Sequence, residues 1–60
     1  MKKDYIKTCD YKGYSIYFHI MYGYTYYTIV KNDIIVKDML LSKQSAKYNI
    51  TKMLNAEEEG

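Results

Sequence analysis

The chain contains no arginine and no proline, and only one cysteine and one histidine. Each shortage removes a class of fold or function. Arginine is the usual reader of guanine edges and the usual bidentate phosphate fork. Its absence leaves lysine as the source of every positive side chain, so the net charge of +2 does not point to a dedicated sequence-specific DNA reader. A lone Cys9 forbids an internal disulfide, fits a reducing compartment and reads as a small buried hydrophobe. One histidine, one cysteine and scattered carboxylates cannot build a zinc-type ligand set. No phosphate-cradling glycine-rich loop is present. Long apolar runs are also missing. The longest uncharged stretch, residues 13–30, holds His19, two glycines and many tyrosines, a poor match to the ~20 predominantly apolar residues of a membrane span. The start, Met1-Lys2-Lys3-Asp4, is basic but no apolar core follows it. The reading is a cytoplasmic protein with no cofactor, no metal and no membrane partner.

What the chain does have is tyrosine, nine in sixty residues. Sixty residues make a single domain, 1–60, whose core is too small to hold them all. A chain this short buries only about 60% of its unfolded surface, so its stability is marginal and a second copy or a partner would help. Tyrosine supplies large contact area at low entropic cost and is enriched at protein interfaces.

The first two-thirds alternates with a period of two and the last third has helical spacing. Lys12-Gly13, Tyr22-Gly23 and Asn32-Asp33 each suit a two-residue hairpin turn, because Gly and Asn tolerate positive φ. The predicted strands lie near residues 4–11, 14–21, 24–31 and 34–39. If the second and third turns are two-residue turns, Ile16 faces Ile29, Phe18 faces Tyr27, Ile29 faces Val36 and Lys31 faces Ile34. Both hairpins then place Ile16, Phe18, Ile20, Tyr27, Ile29, Ile34 and Val36 on one face, and a one-residue slip in either would scatter that set. Ser42 is the predicted cap of a helix near residues 43–56, with Leu41 as a staple on Ala46 and with Ala46, Ile50, Met53 and Leu54 as its apolar stripe. Residues 57–60, with Glu57-Glu58-Glu59, read as a solvated, frayed acidic tail. The expected fold is α+β, a three- to four-stranded antiparallel meander with one C-terminal helix packed on one face.

The other sheet face would then carry Ser15, Tyr17, His19, Met21, Tyr24, Tyr26, Thr28, Val30, Ile35 and Lys37. An open face is normally polar, and this one is aromatic, which marks an interaction surface. The partner-binding candidates are Tyr17, His19, Tyr24, Tyr26, Thr28 and Lys37. No catalytic residue is assigned. Cys9 and His19 fall on opposite strand faces by parity, which separates the only nucleophile from the only imidazole, and the aspartates show no paired spacing. The expected role is binding rather than catalysis.

The segment Tyr11-Lys12-Gly13-Tyr14-Ser15-Ile16, a following strand with Tyr26-Tyr27, a further strand and a helix opened by Ser42 resemble a recurring type of short protein. Such proteins are encoded by phages and mobile elements of low-GC Gram-positive bacteria. The resemblance covers residues 11 to 56. It implies an inhibitor of a host defence enzyme, anti-CRISPR proteins included, acting in the host cytoplasm on a defence nuclease or its complex. The order of three strands and a helix is also similar to the arm-binding domains of tyrosine integrases and to AP2-type DNA-binding domains, which insert the open sheet face into the major groove. That resemblance implies a nucleic acid as the alternative partner. Self-association into a homodimer, through open faces or sheet edges, is compatible with either.

Overall fold

The computed structural model describes residues 5–59. Asp4, the expected start of the first strand, and Gly60, the end of the expected tail, lie outside them. Four strands, β1 (Ile6–Tyr11), β2 (Tyr14–Met21), β3 (Tyr24–Lys31) and β4 (Ile34–Leu40), precede one helix, α1 (Lys43–Glu59). The strands form one antiparallel sheet in the order β1-β2-β3-β4, so the fold is an α+β meander.

All three turns take the two-residue form with both central residues in the left-handed region. Lys12 and Gly13 have φ of 51° and 87°, Tyr22 and Gly23 54° and 79°, and Asn32 and Asp33 53° and 64°. This is the turn geometry whose twist matches that of the flanking strands. The β2–β3 hairpin has the expected register, with Met21 opposite Tyr24, Phe18 opposite Tyr27 and Ile16 opposite Ile29.

The β3–β4 hairpin begins in the expected register, Lys31 opposite Ile34 and Val30 opposite Ile35, and then departs from it. Ile29 lies opposite Lys37 instead of Val36, and Tyr27 opposite Leu40. One extra residue enters β4 at Val36 and another between Lys37 and Leu40, where Met39 has a φ of 60°. Such bulges re-aim the side chains that follow them. β1 is bulged too, Thr8 being the extra residue between Lys7, opposite Tyr17, and Cys9, opposite Ile16.

The core lies between the sheet and α1. It comprises Tyr14, Ile16, Ile29, Leu40, Ala46 and Ile50, flanked by Cys9, Tyr11, Tyr27, Met53 and Leu54. Ile16 and Ile29 are fully buried as expected, whereas Ile20, Ile34 and Val36 are exposed. Ile20 and Ile34 sit at or next to the ends of their strands, and Val36 borders an open cleft between β4 and α1. Leu41 is also exposed, so the expected staple on Ala46 does not form. The second β4 bulge turns Leu40 inward to take that place. Tyr14 is buried at the start of β2, with the Lys31 ammonium 4.7 Å from its ring centroid.

Ser42 caps α1 as expected. The Ser45 amide donates to its Oγ at 3.0 Å, and the Ala46 amide to its carbonyl at 3.1 Å. The helix continues past residue 56 through Glu57 and Glu58, because Ala and Glu are strong helix formers and outweigh the unfavourable placement of acids at a helix C-terminus. Ile50 is fully buried against the sheet. Ile50→Ala is expected to cost about 2–5 kcal/mol, the range for large-to-small changes in a core. Urea unfolding followed by circular dichroism measures it, and a cost below about 1 kcal/mol would show that α1 does not close this core.

Candidate functional site

The sheet face away from α1 is built by the alternation of β2 and β3. Ser15, Tyr17, His19 and Met21 lie opposite Val30, Thr28, Tyr26 and Tyr24. Its centre is covered by a side chain from the segment leading into β1. The Tyr5 ring lies over the His19 imidazole with centroids 4.5 Å apart, and the Tyr26 ring flanks His19 at 5.9 Å. Across the sheet, the Tyr5 hydroxyl donates to Oδ2 of Asp38 at 3.2 Å. Oδ1 of Asp38 accepts from the Thr28 hydroxyl at 2.6 Å and from the Met39 amide at 2.7 Å. Asp38 thus ties the chain before β1, the centre of β3 and the bulge of β4 into one node.

The node sorts the expected contact residues into two layers. Thr28 is fully buried and His19 only 9% exposed, so both lie beneath the surface rather than on it. Among the described residues, Nδ1 of His19 finds no hydrogen-bond partner. Tyr17 and Tyr26 are half-buried, and Tyr24 is 67% exposed. Lys37 is not on this face at all. The first β4 bulge sets it opposite Ile29, where it lines a cleft of about 410 Å³ between β4 and α1 with Val36, Asn49, Lys52, Met53 and Ala56. Tyr5 and Asp38 are the members that strand parity alone does not reveal: Tyr5 precedes the strand and Asp38 follows a bulge.

The electrostatics of the face follow from this arrangement. Burial opposes the charge on Asp38, but hydrogen bonds from Thr28, Met39 and Tyr5 outweigh it and hold the carboxyl below its ordinary pKa. Tyr5 is shifted up, by burial first and by the neighbouring Asp38 charge second. At the β1 edge Lys7 and Asp10 form an ion pair at 3.0 Å, and the Ser15 hydroxyl donates to Asp10 at 2.8 Å. Other lysines gather on the helix side. Lys12 and Lys47 approach the Tyr11 ring at 5.6 and 5.5 Å, and Lys31 approaches Tyr14. Cys9 packs against the helix-side core, on the far side of the sheet from His19, so the two cannot act as a nucleophile and base. Among the described residues no three His, Cys, Asp or Glu side chains converge as a metal set.

Neither a scan against models of known protein families nor searches of curated proteins and of solved structures returned a match.

Asp38→Ala would leave the buried Thr28 hydroxyl without an acceptor, with an expected loss of about 1–3 kcal/mol. A carboxyl with a depressed folded pKa contributes stability above its unfolded value, about 3.9, and that stability disappears as pH falls through the lower folded value. The wild type should therefore lose stability as the pH drops below about 4, and the variant should lose less over that range. Denaturation midpoints measured between neutral and strongly acidic pH give both numbers. Parallel pH profiles for the two proteins would show that the node is not formed.

Proposed function

We propose that this chain is a small non-enzymatic binding protein that docks on another protein through its tyrosine-rich sheet face. One observation carries the reading: α1 leaves that face uncovered, and the rings it presents rest on a layer already locked in place. Tyr24, Tyr17 and Tyr26, with Met21 and with Tyr5 lying over His19, form the outer layer, while His19, Thr28 and Asp38 form the support. A surface whose supporting side chains are ordered before contact loses less entropy on binding than a loose one. Tyrosine, rigid and amphipathic, is the side chain best suited to such anchors.

The resemblance to short phage-encoded proteins supports a target among host defence enzymes, such as a CRISPR effector, and action in the host cytoplasm. The integrase-like alternative has less support from the distribution of charge. A sheet face inserted into a DNA groove needs cations. On this face the described lysine is Lys7, already paired with Asp10, and Asp38 adds a negative charge beneath the rings. Lys37, the lysine expected on this face, faces the cleft beside α1 instead.

Tyr26→Ala should weaken target binding by about 1–2 kcal/mol or more, as truncation of an interface anchor commonly does, with the circular dichroism spectrum retained. The check is capture of the target from host lysate, with and without nuclease, followed by calorimetry on the purified pair. Unchanged inhibition by a folded Tyr17→Ala/Tyr26→Ala double variant would eliminate this docking face. Recovery of nucleic acid in place of protein would favour the alternative.

A further inference from the structure

We propose that the open face takes a basic patch of a protein partner, with an arginine side chain of that partner lying against the Tyr17 and Tyr26 rings above Asp38. The inference rests on the reading of this face as a docking surface and names the chemistry of what docks there. Its first support is a charge without a counter-ion. Asp38 accepts from three neutral donors, the Thr28 and Tyr5 hydroxyls and the Met39 amide. Burial opposes its charge, but these bonds outweigh burial and hold the carboxyl below its ordinary pKa, so it is ionised at neutral pH. Among the described residues the ion pair is Lys7–Asp10, and Asp38 has none. The charge lies among the rings. Tyr17 is paired with Thr28 across β2 and β3, and Tyr26 stands two residues before Thr28 on the same face of β3. Both tyrosines therefore neighbour the residue whose hydroxyl is 2.6 Å from the carboxylate.

The second support is the contrast between the two sides of the sheet. On the helix side the chain's own lysines lie over its tyrosines, with ammonium groups 4.7 to 5.6 Å from the ring centroids of Tyr11 and Tyr14. Among the described residues no lysine lies over Tyr5, Tyr17, Tyr24 or Tyr26. Lys7, opposite Tyr17, is paired with Asp10. The face of an aromatic ring is negative and attracts a cation within about 6 Å of its centroid. A carboxylate beneath the rings adds to that attraction. A guanidinium suits this surface better than an ammonium, because it is planar, weakly hydrated and stacks on aromatic rings. The chain contains no arginine, so the group comes from another protein.

A blocked, fluorescein-labelled hexa-arginine peptide at low salt is the probe. The full chain carries Glu57→Gln/Glu58→Gln/Glu59→Gln, which removes the acidic tail as a rival site. Aromatic NMR signals locate the peptide and anisotropy gives its affinity. The Tyr17 and Tyr26 ring signals should move and saturate, and the neutral hexa-citrulline peptide should bind at least about fivefold more weakly. Asp38→Asn removes the charge, keeps an acceptor for Thr28 and Met39, and should weaken the arginine peptide at least about threefold. If circular dichroism shows that Asp38→Asn unfolds, Tyr17→Leu/Tyr26→Leu decides the matter, with an expected loss of at least about threefold. Unmoved Tyr17 and Tyr26 signals would overturn the proposal. So would equal binding of the citrulline peptide, or a folded variant that binds the arginine peptide as tightly as its parent. The docking face itself fails on a different result, inhibition retained by Tyr17→Ala/Tyr26→Ala.

Discussion

The carboxylate of Asp38 reaches the open face because β4 contains two residues more than its pairing with β3 accommodates. A strand in perfect register would send alternate residues to alternate faces along its whole length. The extra residue at Val36 instead carries Lys37 round to the side of α1. The extra residue beyond it, with Met39 held at positive φ, presents Asp38 to Thr28 and turns Leu40 into the core. Three features therefore rest on one irregular strand: the closure of the core above β3, the lysine-bordered cleft, and the node under the open face.

How much of this was legible in the sequence follows from the same distinction between regular and irregular pairing. Period-two alternation and three turn-forming dipeptides are local signals, and they yielded four strands, the β2–β3 register and one helix capped by Ser42. The register of β4 held for as long as its pairing stayed regular, from Lys31–Ile34 to Val30–Ile35. Past that point parity failed, and with it the placement of Val36, Lys37 and Leu41. A bulge has no signature in Ile35-Val36-Lys37-Asp38, since nothing there demands positive φ except the outcome at Met39. The open face was legible in its outline, Tyr17, Tyr24 and Tyr26. Its depth was not: His19 and Thr28 are buried by Tyr5, a residue outside any strand whose position depends on an acceptor 33 residues away.

The distribution of charge gives the domain two different sides. On the helix side, lysines lie over tyrosine rings at Tyr11 and Tyr14, where the alkyl stems cover apolar surface and the ammonium groups meet the ring faces. On the open side, the tyrosines stand over a carboxylate whose acceptors are directed inward, and Lys7, opposite Tyr17, is occupied by Asp10. A net charge of +2 thus conceals a face that is neutral to acidic and rich in rings. Such a face suits a protein surface, where ring contact and hydroxyl hydrogen bonds act together, better than it suits a phosphate backbone, where attraction is set by the number of cations in reach.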